Sequence, residues 1–180
     1  NSLHTYGQIA FFRVAGLIPR LRDYFLGMKF KPEPRFMEGF LIADGASPKR
    51  TLVGSMLPQP DIVTPEGQIA KLDDVMGPGF ALLAVGFDAA EGIEKIDQPV
   101  WAQLEAVRVA LIPAPKKAQG IARICEISDA DLPRKLAFYR GKILLVRPDR
   151  YVAAAFAPVH AALAADAIEL QAGFELQPPT

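Results

Sequence analysis

The chain lacks most of the side chains from which catalytic and redox sites are built. Its 180 residues include a single cysteine, Cys125, so it can form neither an intrachain disulfide nor a Cys-x-x-Cys redox pair. The two histidines, His4 and His160, have no partner at the spacing of a metal site or a catalytic triad. We therefore expect no catalytic residue and no metal ligand in this chain. Sparse cysteine also suits a reducing compartment, and we expect the protein to be cytoplasmic.

Sequence signatures for binding nucleotides, nucleic acids and membranes are also missing. No Gly-x-Gly-x-x-Gly occurs, and Gly77-Pro78-Gly79 is not followed by the Gly-Lys-Ser/Thr of a phosphate loop. The 20 basic and 20 acidic residues cancel, which argues against a nucleic-acid surface or a polybasic membrane patch. No apolar run reaches the ~18 residues of a membrane span. We expect no cofactor site in this chain, and neither nucleic acid nor membrane among its partners.

What the chain does have is apolar residues and proline. Apolar types make up 51% of the sequence, enough for a substantial core, and 16 prolines indicate many irregular crossings between elements. The length suits one domain with an appendage. We place the appendage, a terminal helix and a linker, at residues 1–45 and the main domain at residues 46–180.

The appendage should begin with a long helix from Ser2 to Leu26, because its apolar residues recur every three or four positions. Pro19 should either split this helix into two or kink it. Its large apolar side chains are too widely spread for one narrow helical face. The exposed remainder should pair with a second copy, so we expect a homodimer. The side chains assigned to this self-association are Phe11, Phe12, Ile18, Leu21 and Phe25.

The main domain is organised around residues 141–158, which predict two buried strands and a tight turn. The strands run from Lys142 to Val146 and from Tyr151 to Phe156. Between them, Pro148 fixes the φ that the second residue of a type I turn needs, and Asp149 suits the third. A helix from about Val159 to Gln171 follows, with Gly173 as its stop signal.

Upstream, residues 54–86 predict an extended entry, a one-turn Leu-Asp segment, a Gly-Pro-Gly turn and a buried strand. Further on come a helix near 98–105, a strand at 107–112, a minor strand at 122–127 and a helix ending near Tyr139; a short strand is also expected at 36–43. The order β-α-β-α-β-β-α is that of a thioredoxin-like α/β domain, with a central mixed sheet flanked by helices and, here, an N-terminal helical extension. The residues that define its turns and crossings are Gly54, Pro58, Pro60, Asp73, Gly77, Gly79, Arg147, Pro148 and Asp149.

The domain should be redox-inactive. In redox members of this fold the nucleophilic cysteine follows the first central strand, where the helix N-terminus favours its thiolate. The corresponding residues 86–92 contain no cysteine and carry Asp88 and Glu91, which would raise a thiol pKa. Cys125 fits a buried structural residue. Two alternatives stay open: a one-Cys peroxidase or redox domain that uses Cys125, and a free-standing binding module.

Four segments resemble the C-terminal part of FAD-dependent aromatic-ring hydroxylases, in particular the branch that acts on hydroxylated phenylpropionates. They are Tyr24-Phe-Leu-Gly-Met-Lys-Phe-Lys-Pro-Glu-Pro-Arg-Phe36, Met56-Leu-Pro-Gln-Pro60, Leu72-Asp-Asp-Val-Met-Gly-Pro-Gly-Phe80 and Arg147-Pro-Asp-Arg-Tyr-Val-Ala153. The resemblance implies a parent enzyme that uses FAD, NAD(P)H and O₂ to hydroxylate a phenol ring. Residues 1–45 would then be the last helix and linker of its catalytic part, and the thioredoxin-like domain would support structure and subunit contacts.

Overall fold

The computed structural model describes residues 35–36, 39–113, 120 and 122–173. The chain divides into two compact units, 1–34 and 35–180, and all of the described residues belong to the second. The predicted helix from Ser2 to Leu26, with the five residues assigned to self-association, lies outside the described residues. The division of the chain at residue 45 stays a prediction.

The described residues build one mixed sheet of seven strands. The strands are β1 (Asp61–Val63), β2 (Ile69–Lys71), β3 (Ala81–Val85), β4 (Val107–Ile112), β5 (Arg123–Glu126), β6 (Lys142–Val146) and β7 (Val152–Phe156). Their order across the sheet is β2-β1-β5-β4-β3-β6-β7. Strands β3, β4 and β5 run parallel to one another, and the other neighbours pair antiparallel.

Short helices connect these strands, and one longer helix closes the domain. In the helix Pro99–Gln103, proline occupies the first turn, where its missing N–H costs no hydrogen bond. The last helix ends at Gly173, whose φ of 66° is the left-handed conformation of a glycine cap. The helices are α1 (Leu72–Met76), α2 (Phe87–Ile93), α3 (Pro99–Gln103), α4 (Arg134–Ala137) and α5 (Ala161–Ala172), with a 3₁₀ turn at Pro158–His160 before α5. Within the described ranges, no helix is long and apolar enough to cross a membrane.

Two hydrophobic cores lie on opposite faces of the sheet, and strand β3 contributes side chains to both. Because side chains alternate along a strand, Leu83 and Val85 point into one core and Leu82 and Ala84 into the other. The first core includes side chains of α1 and α4, and the second includes side chains of α2, α3 and α5. A mixed sheet covered by helices on both faces confirms the predicted α/β architecture.

Two local predictions were wrong, and one hairpin was not predicted. Phe36 and residues 39–43 form no strand; an isolated bridge joins Arg35 to Ser55, and Ile42 N donates to Ala153 O. The hairpin of β1 and β2 was missed because its two strands have only three residues each, too few for a clear pattern. The helix expected to end near Tyr139 is confined to α4, because the chain before it turns at residues 129–131 and is extended at Pro133.

Candidate functional site

The carboxyl end of β3, where redox members of this fold carry their nucleophile, holds glycine and no thiol. Gly86 has a φ of 86° and precedes α2. Gly141 N donates to Val85 O at 2.8 Å, and the same nitrogen lies 3.7 Å from the point where a Cβ on Gly86 would stand. The next side chains are the half-buried Phe87 and the exposed Asp88. The arrangement offers a ring and a carboxylate, and neither is a thiol-type nucleophile.

The single thiol lies elsewhere in the sheet and is poorly suited to redox chemistry. Cys125 is fully buried in β5, between the neighbouring strands β4 and β1. Burial raises the pKa of the Cys125 thiol from 9.0 to about 11; the Glu66 carboxylate adds to the rise, and the Arg123 guanidinium opposes it. At neutral pH the reactive thiolate is therefore scarce.

The other polar candidates from the sequence do not assemble into a site. His160 is exposed in the 3₁₀ turn, and His4 lies outside the described residues. Within the acidic run at residues 88–97, the Glu94 carboxylate accepts a hydrogen bond from Ala122 N at 2.8 Å. In the part of the chain that the structure describes, no three or more His, Cys, Asp or Glu side chains are grouped so as to hold a metal ion.

The turn between β6 and β7 forms as its sequence predicts. Arg150 N donates to Arg147 O at 2.9 Å and closes the turn. The Asp149 carboxylate pairs with the Arg147 guanidinium at 2.7 Å and accepts a hydrogen bond from Tyr151 N at 3.3 Å. Pro148 is exposed at the corner. Asp149 thus stabilises the turn through its side chain, as expected for aspartate in a tight turn.

Arg150 links this turn to α1 and to the extended entry. Its φ of 68° is left-handed, which is uncommon for a non-glycine residue. Its guanidinium forms an ion pair with the Asp73 carboxylate and donates to Gly77 O at 2.5 Å. Its own carbonyl accepts a hydrogen bond from Leu57 N at 2.8 Å. We call this group, formed by Asp73, Gly77 and the turn 147–150, the hairpin junction.

Two backbone segments cross at Gly54. Phe36, in the segment that leads into the domain, passes directly over Gly54. A Cβ at Gly54 would stand 2.1 Å from Phe36 O, closer than any side chain can approach. Phe36 N donates to Gly54 O, and Gly54 N donates to Val152 O, each at 2.8 Å. The Phe36 ring packs edge-on against Tyr151 and lies under the Arg147 guanidinium. Only glycine fits this crossing.

Two polar clusters hold the entering segment in place. The Arg35 guanidinium donates to the carbonyls of Pro48, Thr51 and Val53. The buried Tyr139 hydroxyl donates to the Asp44 carboxylate at 2.5 Å and accepts from Leu52 N at 2.8 Å.

The environment of Tyr139 identifies the Asp44 cluster as structural. Burial raises the pKa of the Tyr139 phenol, and its hydrogen bond to Asp44 raises it further. The hydroxyl therefore stays protonated at neutral pH and serves as a fixed donor.

The structure brings together most of the residues that the sequence assigned to turns and crossings. Asp73, Gly77, Arg147, Pro148 and Asp149 belong to the hairpin junction, and Gly54 forms the crossing described above. Pro58 and Pro60 are half-buried in the entry next to Leu57, and Gly79 is exposed. Four residues of these clusters were not predicted from the sequence: Arg35, Asp44, Tyr139 and Arg150.

Among these four residues, only Arg150 could have been recognised from the sequence pattern. Arg150 is a cation between two buried apolar strands, and such a position calls for an acidic or carbonyl partner. Arg35 binds main-chain carbonyls, and the hydrogen bond between Tyr139 and Asp44 joins residues that are distant in the sequence. No spacing rule reveals either contact. The local hydrogen bond from Ala46 N to the Asp44 carboxylate does not point to Tyr139.

Comparison with protein families gives one match, to the HcaD C-terminal domain, over residues 54–171. A 3-(3-hydroxy-phenyl)propionate/3-hydroxycinnamic acid hydroxylase 2 of Burkholderia vietnamiensis is 34% identical over 166 residues, which are 83% of this chain and 30% of that protein. A hydroxylase of Klebsiella pneumoniae with the same substrate name is 32% identical over 147 residues, 78% of this chain and 26% of that protein. The chain thus spans less than a third of the length of these relatives.

Two solved structures share the fold. The flavin-dependent monooxygenase PieE, in complex with FAD and substrate, matches with a TM-score of 0.56 and 19% identity, over 78% of this chain and 25% of that one. Yeast Sco1 matches with a TM-score of 0.50 and 9% identity, over 68% of this chain and 97% of that one. The domain is an α/β domain of the thioredoxin-like class, and a domain of the same fold forms part of a flavin monooxygenase.

Proposed function

The chain belongs to the HcaD C-terminal domain family, and from that premise we propose that it is the redox-inactive C-terminal domain of a flavin-dependent aromatic-ring hydroxylase. Its role there is structural: it stabilises the enzyme and contributes to contacts between domains and subunits. The domain itself performs no chemical step.

One observation carries the redox-inactive part of the proposal. At the carboxyl end of β3 the chain has Gly86, Phe87 and Asp88 where a redox domain needs a thiol. The single thiol, Cys125, is buried in β5 with a pKa of about 11. The same burial opposes the alternative of a one-Cys peroxidase, which needs an accessible thiolate.

The parent enzyme would hydroxylate a phenolic ring, as the names of the hydroxylase relatives suggest, and would use FAD, as PieE does. The family resemblance of the sequence implies NAD(P)H and O₂ as the other reactants. This domain does not fit FAD. A dinucleotide site needs a glycine-rich turn that opens a helix onto the pyrophosphate. Here the turn after β3 places the Phe87 side chain and the Asp88 carboxylate at the start of α2, where bulk and negative charge oppose a phosphate. FAD would therefore be held by the rest of the parent, which we expect to be a cytoplasmic homodimer.

Activity assays on the chain test the redox-inactive proposal. Insulin reduction and peroxide consumption should match the buffer control for the wild-type chain and for Cys125→Ser alike. Turnover by the wild-type chain that Cys125→Ser abolishes would refute the proposal and establish the peroxidase alternative.

A further inference from the structure

The outward face of helix α5 exposes large apolar side chains in a row. Leu163 and Leu170 lie two turns apart on the helix, and Val159 precedes them in the 3₁₀ turn. They are 85% (Val159), 68% (Leu163) and 85% (Leu170) exposed. The row extends about 16 Å along the helix axis. We call Val159, Ala162, Leu163, Asp166 and Leu170 the outer stripe.

The opposite face of the same helix is also apolar. Ala161, Ala164, Ala165 and Ile168 are buried against the sheet. Large apolar side chains exposed opposite the buried face of a helix commonly mark a contact surface, because apolar area left in water forgoes the free energy of burial. The described residues of this domain leave the outer stripe uncovered, which makes it a candidate contact surface.

The charged side chains around the outer stripe determine which kind of protein surface could pack against it. Helix α5 contains Asp166 and Glu169 but neither lysine nor arginine. Beyond Val159 and Ala162 lies a cavity of about 550 Å³ that is also lined by Asp88, Glu91 and Lys95. Acidic groups thus outnumber basic ones beside the stripe. A complementary surface would present an apolar strip flanked by lysine or arginine.

A second copy of this helix is a poor match. Antiparallel pairing that superimposes the two stripes would set Asp166 against Leu163 of the other copy, and parallel pairing would set Asp166 against Asp166. Either arrangement buries a carboxylate without a cation, because the helix offers none.

We propose that the outer stripe is the surface on which the catalytic part of the hydroxylase docks. This inference rests on the proposed function. The chain accounts for 30% of the Burkholderia vietnamiensis relative and 25% of PieE, so most of each relative lies outside the matched domain. That missing part is the occupant. It would contribute an apolar strip with flanking basic residues, and docking would fix the domain against the enzyme.

Hydroxyl-radical footprinting tests the docking surface in the full-length protein encoded by the gene that contains this chain. Side-chain oxidation at Leu163 and Leu170 should be about fivefold or more slower in the full-length protein than in the 180-residue chain, because an interface core excludes water. Ile69 provides the matched reference, since it is 79% exposed on β2 at the far edge of the sheet and should react equally in both.

Two variants confirm the assignment. In the full-length protein, Leu163→Glu should restore the oxidation of Leu170 to the rate seen in the 180-residue chain, whereas Ile69→Glu should leave Leu170 protected. In the 180-residue chain, Leu163→Glu should keep the wild-type melting temperature, because Leu163 is exposed there. An unchanged melting temperature shows that the variant folds.

Each remaining result contradicts the inference in a distinct way. Equal oxidation of Leu163 and Leu170 in both proteins, when the full-length protein carries flavin, overturns the docking surface and leaves the proposed function intact. If dilution of the full-length protein to a monomer removes the protection of Leu163 and Leu170 from oxidation, a second copy covers the outer stripe. That result overturns the proposal that the catalytic part covers it. A full-length protein without flavin refutes the proposed function itself.

Discussion

At the scale of single residues, Gly54 is the position where the fold tolerates the least change. Gly54→Ala places a Cβ 2.1 Å from Phe36 O and also forces alanine into a φ of 78°. The first effect displaces the entering segment, and the second costs about 1–2 kcal/mol by itself. We expect the free energy of unfolding, measured by urea denaturation, to fall by about 3 kcal/mol or more in total.

Gly67→Ala is the matched control for this prediction. Gly67 has a φ of 80°, but a Cβ there would meet nothing within 4 Å. Its cost should be the backbone term alone, about 1–2 kcal/mol. Equal losses in the two variants would show that the crossing of Gly54 and Phe36 adds nothing to stability.

The thiol of Cys125 should make stability depend on alkaline pH. Its pKa is raised from 9.0 to about 11 on folding, so the folded chain holds this proton more tightly than the unfolded chain. Its contribution to stability is therefore complete below about pH 9 and is lost as the pH rises towards 11. The raised pKa of Tyr139 acts in the same direction.

Urea midpoints at pH 8 and pH 10 for the wild type and Cys125→Ala measure the cysteine's share of this dependence. The wild type should lose more stability between the two pH values than the variant, which lacks the cysteine contribution. Parallel losses in both proteins would mean that the Cys125 thiol titrates normally in the fold.

At the scale of elements, the hairpin junction should couple α1 to the turn between β6 and β7. In a double-mutant cycle with Arg150→Met and Asp73→Asn, we expect a coupling free energy of about 1 kcal/mol, because the Arg150 side chain is largely buried while Asp73 remains partly exposed. The exposed pair of Arg140 and Asp129, treated in the same way, should give about 0–0.5 kcal/mol. Indistinguishable couplings would show that Arg150 does not join the two elements.

How far the sequence predicts these elements depends on how local their causes are. The bounds of β6 follow from its apolar run, and those of β7 differ by one residue, because Pro148 and Asp149 set the turn between them. The glycine stop of α5 at Gly173 was likewise predictable from one residue.

The parts that were missed have distant causes. The segment from Arg35 to Asp44 was predicted to contain a strand, but it is held by contacts with residues 48–53 and Tyr139. The ion pair of Arg150 and Asp73 joins two positions separated by about half of the domain's sequence. Periodicity and turn residues cannot predict such pairs, because only folding brings the two residues together.

At the scale of the whole molecule, we expect the chain to associate through residues 2–26. Phe11, Phe12, Ile18, Leu21 and Phe25 lie outside the described residues, and the prediction rests on their spread around a helix. Light scattering at roughly tens of micromolar should show a dimer or a larger species, because exposed apolar faces pair.

A shortened chain that begins at Arg35 is the control for association. It keeps the contacts of Arg35 and Asp44 that hold the entering segment, which a start at Ala46 would remove. The shortened chain should be monomeric or clearly less associated. A monomeric 180-residue chain would refute the role of these five side chains.

The measurement that tests the central claim most directly is the visible spectrum of two purified proteins, the 180-residue chain and the full-length product of the gene that contains it. We expect the chain to be colourless and the full-length protein to carry FAD at near-stoichiometric level, with a flavin absorbance band that NAD(P)H bleaches. A yellow chain, or a full-length protein without flavin, would contradict the assignment of this domain to a flavin hydroxylase.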